Sequence, residues 1–350
     1  EEIVLVGRDP HYQAGKLPLV FVGHGVDEDG NAPMGLAGKA VLMLSDPADF
    51  LPEAYKSGRS RREALIKAGA EAVITVAGEQ FDYYSYRRQY MARPIALVSQ
   101  DKRPPLEGAV SAKFMVALVT AAGGDWDKLR EAAKAADFAA KPLGITADFD
   151  VASAVTKFDS HNVIGKIAGK KPATGAVVFM GHWDHLGLCR PEGDADRICN
   201  GAVDNASGLA VLTEVARKLA RKKHDRDIYF VGTTGEESGL LGAQTFVDTP
   251  VVPLDKIVIA LNVDTIAIAP RGAKVTIIGR GTTGLDPLIE SIARKSRRTI
   301  ELSTDANAFL KRQDGWVLTQ KGIPALMVGS AFADLEVLER FLSSYYHRPD

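Results

Sequence analysis

The chain has 350 residues, of which 46% are hydrophobic and 25% are charged, a composition typical of a globular protein with a large buried core. Its 43 basic and 44 acidic residues give a formal net charge of −1, which excludes a general electrostatic attraction to nucleic acid or to anionic membranes. No apolar run approaches the roughly 20 residues needed to span a bilayer. Substrate choice is therefore expected to come from a local site, with no nucleic-acid partner and no membrane span.

The first part of the chain predicts a small α/β unit. Apolar runs of strand character lie at 18–24, 39–45 and 72–78. The stretch SRREALIKAGAEA, before the third run, has the pattern of a helix. Two further helical stretches lie within about 104–142, and Pro142 and Gly144 are typical boundary residues.

From about residue 145 the pattern changes to a regular alternation of strands and helices. Predicted strands lie at 176–183, 227–234, 256–264, 274–280 and 323–330. The segments NASGLAVLTEVARKLARKK, LDPLIESIARKSRR and DLEVLERFLSSYY have helical periodicity. Near-continuous apolar strands separated by amphipathic helices indicate an α/β fold with a mixed, mainly parallel central sheet and helices on both faces.

Ionisable side chains follow the ends of these predicted strands. They are His182, Asp184 and His185 after the first strand, Asp204 after its loop, Glu236 and Glu237 after the next strand, Asp264 after the third, and His347 near the chain end. Each alone has an ordinary explanation, such as a helix cap or a solvated loop pair. Ligands of open α/β sheets bind beyond the carboxyl ends of the strands, so their joint placement predicts one site.

Two imidazoles and three carboxylates suit a pair of divalent cations. The predicted metal ligands are His182, Asp204, Glu237, Asp264 and His347. Two dications, three carboxylates and one bridging hydroxide make a neutral site. Zinc suits these ligands, and cobalt or manganese would fit the same set.

The remaining side chains around this ligand set have predicted supporting roles. Glu236, next to a ligand, is free to act as a general base. Asp184 lies two residues beyond His182 and is predicted to accept the proton of its other ring nitrogen. His185 is predicted not to bind metal, and instead to cap or pack the following loop.

Five ordered segments, GHWDHLG, NGAVDNASG, GEESGLLGA, NVDT and YYHRPD, resemble the motif series of the dizinc aminopeptidase family. That family includes aminopeptidase S, aminopeptidase Y and, more distantly, glutamate carboxypeptidase and the transferrin receptor, and the resemblance covers roughly 145–350. It implies that Asp204 bridges two zinc ions, with His182 and Asp264 completing one site and Glu237 and His347 the other. It also implies a zinc-activated water, Glu236 as general base, and peptide substrates with a free amino terminus.

The region before this resembles the protease-associated domain that is often inserted in these enzymes, through PLVFVGHG, GKAVLMLS and KAGAEAVITV. The predicted organisation is therefore the start of the catalytic domain at 1–14, the smaller α/β insertion at 15–142 and the catalytic domain at 143–350. Relatives begin with more residues and continue with a helix, so both ends are expected to be missing here.

One segment departs from the family pattern. Many relatives carry a serine, an aspartate and then a histidine or tyrosine before the last strand, thought to help bind substrate. Here the segment reads Arg312-Gln-Asp314-Gly-Trp316. It keeps the acid but offers no identifiable donor to a substrate oxyanion.

Several alternatives to an aminopeptidase remain. A carboxypeptidase or dipeptidase on the same dizinc site would need basic residues placed to hold a substrate carboxylate. A glutaminyl-cyclase-like acyl transferase shares the fold but uses one metal, and a receptor-like binding protein would have lost ligands, whereas all five are present. A metallo-β-lactamase-type motif would require a histidine where Met180 stands, which excludes it.

The only two cysteines, Cys189 and Cys199, bracket a polar loop at a separation that a disulfide can close. A disulfide favours an exported protein, periplasmic or extracellular, and the start at Glu1 rather than Met is compatible with removal of an export signal. Two free thiols in a cytosolic protein are the alternative.

The stretch GRGTTG at 279–284 matches the dinucleotide fingerprint G-x-G-x-x-G. The predicted metal site already occupies the strand ends where such a cofactor would bind. A glycine-rich turn is therefore predicted here.

Overall fold

The computed structural model describes residues 2–78, 82–91, 95–98, 104–190 and 192–349. The chain divides into two units, Glu1–Phe158 and Asp159–Asp350. Among the described residues, no helix is both long enough and apolar enough to cross a membrane.

The first unit is built on a six-stranded sheet. Its strands are β1 Ile3–Gly7, β2 His11–Phe21, β3 Ala40–Leu44, β4 Ala72–Val76, β5 Leu106–Val110 and β6 Lys141–Ala152. Their order is β1-β5-β4-β3-β2-β6. The four central strands run parallel, and the two edge strands are antiparallel to their neighbours.

Helices cover this sheet, and short polar side chains start several of them. They are α1 Gly58–Lys67, α2 Tyr83–Met91, α3 Ala112–Ala121 and α4 Trp126–Ala132. Ser111 accepts a hydrogen bond from the Phe114 amide at the start of α3, as an N-cap should. Trp126 packs edge-on against the buried Phe21 ring, with ring centroids 5.4 Å apart, which ties α4 to β2.

Strand pairing corrects the predicted domain boundaries. Strand β1 pairs with β5 over five residues, so residues 3–7 belong to the first unit and not, as predicted, with the domain at 143–350. Strand β6 runs across the predicted boundary at 142 and pairs with β2. The first unit therefore extends to Phe158, because an edge strand belongs with the sheet that satisfies its backbone.

The second unit contains a second six-stranded sheet and a short hairpin. Its strands are β7 Val163–Ile167, β8 Ala176–His182, β9 Gly187–Leu188, β10 Ile198–Cys199, β11 Asp227–Thr233, β12 Ile257–Asn262, β13 Thr276–Ile278 and β14 Ala325–Gly329. The large sheet has the order β13-β14-β12-β8-β11-β7. Strands β14, β12, β8 and β11 are parallel, and the edges β13 and β7 are antiparallel. The predicted mixed, mainly parallel sheet is confirmed.

Helices lie on both faces of this sheet, as predicted. They are α5 Gly208–Leu219, α6 Leu241–Asp248, α7 Asp286–Lys295, α8 Gly315–Gln320 and α9 Leu335–Ser344. Side chains of β8 alternate between the faces. Met180 joins a core cluster with Phe246 of α6 and Leu318 of α8, whereas Phe179 packs with Leu212 of α5 on the other side.

The hairpin β9–β10 carries the predicted disulfide. Cys189 and Cys199 are bonded, with Cα atoms 5.8 Å apart, and strand β9 pairs antiparallel with β10. The reading of the two cysteines as free thiols is therefore wrong.

Candidate metal centre

Three parallel strands deliver the ionisable side chains to one edge of the sheet. His182, the last residue of β8, lies opposite Thr233, the last residue of β11. Asn262 ends β12 and pairs with Met180 of β8. Since parallel strands end at the same edge, the loops that follow place the predicted site residues together.

Asp204 lies in an irregular turn, Ala202–Ser207, that precedes α5. Its backbone is not helical, and the Asp204–Asn205 peptide bond is cis. The Asn205 side-chain nitrogen, Nδ2, donates to the Val263 carbonyl at 2.9 Å, and the Asn205 side-chain oxygen accepts from the backbone amide of Gly208 at 3.0 Å. Asn205 therefore ties the turn to the end of β12. The local sequence Asp-Asn-Ala-Ser before a helix does not reveal this role.

The first cluster forms around His182, whose side chain is 1% exposed. Its Nε2 lies 3.0 Å from Asp204 Oδ1 and 3.6 Å from Asp264 Oδ1. Its Nδ1 donates a hydrogen bond of 3.0 Å to the Asp184 carbonyl. In the neutral ring the Nε2 lone pair then faces two carboxylate oxygens.

The second cluster uses the other oxygen of Asp204. His347 Nε2 lies 3.5 Å from Asp204 Oδ2 and 2.9 Å from Glu237 Oε2. The His347 ring stacks on Tyr346 with centroids 3.7 Å apart. One carboxylate therefore faces an imidazole with each of its oxygens.

Buried atoms without hydrogen-bond partners test whether cations fit here. His182 Nε2, His347 Nε2 and Glu237 Oε1 are all buried and form no hydrogen bond within the described residues. A buried polar atom left unpaired costs about 1–3 kcal/mol. Lone pairs on nitrogen and oxygen that converge in this way are satisfied by a positive ion between them, so this donor set fits divalent cations.

The carboxylates also control protonation of the imidazoles. Burial alone would lower the pKa of His182, but the Asp204 and Asp264 carboxylates raise that pKa to about 12. Burial opposes a similar effect on His347, whose pKa is raised to about 9 by Asp204 and Glu237. Burial would also raise the pKa of Asp204, but His182 and His347 lower it. A metal ion therefore competes with protons for these ring nitrogens.

The structure corrects the predicted contact of Asp184. The backbone carbonyl, not the carboxylate, binds His182 Nδ1, since Asp184 Oδ1 is 3.8 Å from that nitrogen. The carboxylate instead accepts hydrogen bonds from the Glu236 amide at 3.1 Å and the Glu237 amide at 3.4 Å. Strand β8 ends at His182, so the alternation on which the prediction relied does not extend to residue 184.

His185 lies closer to the site than the sequence predicted. Its Nδ1 is 2.6 Å from Glu237 Oε1, and this nitrogen is buried without a hydrogen-bond partner. His185, Asp204 and Glu237 could together hold an ion. Its ring also packs against Gly201 and His347. Packing on the loop agrees with the prediction, and the absence of metal binding stays a prediction.

The Glu236 carboxylate forms no ion pair with a histidine among the described residues, unlike Asp204, Glu237 and Asp264. No hydrogen bond to its side chain occurs within the described residues. Burial raises its pKa to about 9, with nearby Asp314 and Asp264 adding to the effect and His182 opposing it. Asp314 itself is fully buried and accepts a hydrogen bond from the Thr233 hydroxyl. Burial raises the pKa of Asp314 to about 7.

A pocket opens beside these carboxylates. Asp204, Glu236 and Asp264 form one side of it, and its lining also includes Thr265 and Tyr346. The rest is largely apolar, with one cation, Arg312. The cavity volume is about 50 Å³, well below the roughly 300–1,000 Å³ of pockets that hold drug-sized ligands.

The GRGTTG segment forms a closed turn. The amides of Gly279 and Arg280 both donate to Asn307 Oδ1, and the Gly281 amide donates to Asp286 Oδ2. These amides are the groups that would bind a phosphate, and side chains of the protein already accept from them.

Known proteins share parts of this sequence. An alkaline phosphatase isozyme conversion protein of Escherichia coli is 38% identical over 96 residues, 24% of this chain and 26% of that protein. A probable zinc metalloprotease of Pyricularia oryzae is 31% identical over 205 residues, 53% of this chain and 37% of that protein. The chain thus spans well under half the length of these curated relatives.

Solved structures of similar proteins include two bacterial aminopeptidases. The aminopeptidase from Aneurinibacillus sp. strain AM-1 has a TM-score of 0.48 at 19% identity, over 95% of this chain and 69% of that chain. BSAP, a zinc aminopeptidase from Bacillus subtilis, has a TM-score of 0.46 at 17% identity, over 94% and 71%.

A profile described as "Peptidase family M28" matches residues 162–350, more than half of the chain. The match contains all seven predicted site residues. It begins close to the start of the second unit, at Asp159. The chain belongs to peptidase family M28.

Proposed function

We propose that this chain is a metal-dependent aminopeptidase that removes N-terminal residues from peptides at a two-zinc site. One observation carries the proposal. The two oxygens of Asp204 face the Nε2 atoms of His182 and His347, at 3.0 and 3.5 Å. A carboxylate between two imidazoles is suited to bridging two ions.

The donor set divides naturally into two ligand groups. His182 and Asp264 would hold one ion and Glu237 and His347 the other, with Asp204 shared. Imidazole and carboxylate ligands suit zinc, and the relative from Pyricularia oryzae is named a probable zinc metalloprotease. When bound, the ions would polarise the scissile carbonyl and make a water acidic enough to attack near neutral pH.

Glu236 is suited to moving the proton. Its carboxylate lines the pocket beside Asp204 and Asp264 and is not engaged by either histidine. Positive ions bound nearby would favour its ionised form, which would accept a proton from the attacking water and deliver it to the amine nitrogen of the leaving peptide. Asp184 positions this residue through the hydrogen bond from the Glu236 amide.

The pocket supports cleavage at a chain end. Its cavity volume of about 50 Å³ is too small for an extended peptide. The Glu236 carboxylate lines the pocket and lies outside the proposed ligand set, so it would attract the ammonium group of a free amino terminus. Selection for unblocked N-termini follows from these two features.

Two further assignments accompany this proposal. The first unit is proposed to be a protease-associated domain, on the basis of its α/β sheet and the segments quoted above. Export to the periplasm or the extracellular space is supported by the Cys189–Cys199 disulfide, since such bonds persist in oxidising compartments.

The decisive experiment combines metal analysis with paired substrates. The purified protein should contain two zinc ions per chain and should hydrolyse aminoacyl-nitroanilides but not their N-acetyl counterparts. Equal cleavage of free and acetylated substrates would contradict the aminopeptidase assignment. A full complement of one zinc at saturation would contradict the paired site and favour a single-metal acyl transferase.

A further inference from the structure

The pocket beside the metal centre contains a cation that the proposed mechanism does not use. Among the described residues that line it, Arg312 is the only positively charged one. The wall nearby is apolar and includes Phe309, Phe332 and Leu342. A guanidinium group in such a place needs a partner of opposite charge, or stays in contact with water.

No residue of the described chain neutralises Arg312. No carboxylate there lies within ion-pair distance of its guanidinium group, whose Cζ lies 5.7 Å from the centroid of the Phe309 ring. Other arginines of this unit are engaged by the fold. Arg280 pairs with Glu290, and Arg298 donates to the Ala273 carbonyl and to Ser330. The charge of Arg312 therefore remains available to a bound molecule.

The two residues that follow Arg312 in the chain fix the position of its backbone. Gln313 is buried, and its side-chain oxygen accepts from the Gly315 amide at 2.8 Å. Asp314 is buried and accepts from the Thr233 hydroxyl, at the end of β11. With both following residues anchored inward, the backbone of Arg312 is held at the pocket wall, and its side chain is exposed to solvent.

We propose that Arg312 binds a carboxylate group of the substrate. The inference rests on the proposed peptidase function and names a class of substrate for the same pocket. Two sources carry this chemistry: the side chain of an acidic N-terminal residue, or the terminal carboxylate of a dipeptide. Guanidinium and carboxylate form paired hydrogen bonds, and the ring of Phe309 orients the guanidinium group by a cation–π contact.

Matched substrate pairs separate the two sources. Glutamyl-nitroanilide against glutaminyl-nitroanilide tests the acidic side chain, and leucylglycine against leucylglycinamide tests the terminal carboxylate. In the wild type, kcat/KM of the carboxylate member should exceed that of its neutral partner in one of the pairs. Arg312→Met should reduce that ratio about 10- to 100-fold, the range for a hydrogen bond to a charged group.

Lys311 provides the control. It is adjacent, carries the same charge, contacts the Trp316 ring with its Nζ 5.8 Å from the centroid, and does not line the pocket. Lys311→Met should leave both ratios at their wild-type values. An equal change in both variants would mean that net charge, not a contact with Arg312, sets the preference, and would overturn the inference.

Other outcomes are equally decisive. If Arg312→Met lowers kcat/KM for both members of each pair by the same factor, Arg312 acts on the carboxylates of the site and not on substrate, and the inference is wrong. If no member of either pair is cleaved, the proposed function fails. The same four compounds, titrated calorimetrically, then still test Arg312, because wild type must bind the carboxylate member more tightly and Arg312→Met must not.

Discussion

The two units share a sheet design but differ in what lies at the carboxyl ends of their strands. Each has four parallel central strands and an antiparallel strand at both edges. In the first unit the buried Arg61 of α1 donates to the backbone carbonyls of His24, Leu44 and Ser45, which follow or end β2 and β3. In the second unit the same edge carries imidazoles and carboxylates whose buried atoms lack partners.

The strand ends of such a sheet can be filled by a cationic side chain of the same chain, as in the first unit, or left for ions to bind, as proposed for the second. Arg61 supplies positive charge and N–H donors at the strand ends of the first unit from within the chain. At the strand ends of the second unit, imidazole nitrogens and carboxylate oxygens converge without such a cation between them, and the positive charge must come from protons or metal ions. A fold of this kind therefore does not by itself predict a metal site, whereas the side chains at its strand ends do.

Removing a proposed metal ligand from the strand ends of the second unit should have the largest effect on zinc binding and activity. His182→Ala takes away the ring that faces both Asp204 and Asp264, so zinc binding should weaken by more than about 100-fold, beyond the loss typical of residues that only support a ligand. Activity should fall with metal content. Atomic absorption after dialysis against zinc buffers measures the occupancy.

His185→Ala and His347→Ala make this test sharper. His185→Ala should keep two zinc ions, whereas His347→Ala should lose one. The reverse result would show that His185, which also lies beside Glu237, is the true ligand of the second ion.

Glu236→Gln should give the next largest effect. The amide cannot accept the proton from the attacking water, so kcat should fall about 10²- to 10⁴-fold, the usual contribution of a general base. Both zinc ions should remain bound, because Glu236 belongs to neither ligand group. Metal content and steady-state kinetics on the same sample decide the matter, and normal turnover would remove Glu236 from the mechanism.

In the first unit, substitution of Arg61 at the strand ends should instead lower the stability of the fold. Arg61→Met removes the guanidinium donors from three partly or fully buried carbonyls, and the free energy of opening in β2 and β3 should fall by about 2–4 kcal/mol. Hydrogen exchange resolved by mass spectrometry measures this, and zinc content should not change.

Arg59→Met is the matched control on the same helix. Arg59 is exposed and pairs with Glu63, an interaction worth about 0.3–0.5 kcal/mol. Equal effects of the two substitutions would show that the hydrogen bonds of Arg61 do not stabilise this edge.

The sequence predicted the second sheet and the proximity of the proposed ligands for one physical reason. Apolar strands alternating with amphipathic helices have to form a mostly parallel sheet, and such strands end at one edge. His182, Glu237 and Asp264 were therefore placed together without knowledge of the contacts. The decisive information lies within a few residues of each strand.

What the sequence did not reveal depends on long-range contacts. The pairing of β1 with β5 joins residues about one hundred positions apart, and no local pattern records it. The two strand backbones come close together at Gly108, where an added Cβ would lie 2.1 Å from the Val4 carbonyl oxygen. Arg61 shares a helical stripe with Leu65, yet composition alone treats an arginine as solvent-exposed.

Substitution of Asp184 should have the smallest and most specific of these effects on activity. Its carboxylate accepts from the amides of Glu236 and Glu237, so Asp184→Ala frees the loop that carries the proposed general base without removing a proposed metal ligand. Activity should fall about 10- to 100-fold, as for residues that orient a metal site, mainly in kcat, with both zinc ions retained. Asp184→Asn keeps one acceptor oxygen and should lose less. If Asp184→Ala loses zinc instead, the carbonyl contact with His182 dominates, and the role of residue 184 is to hold that ring.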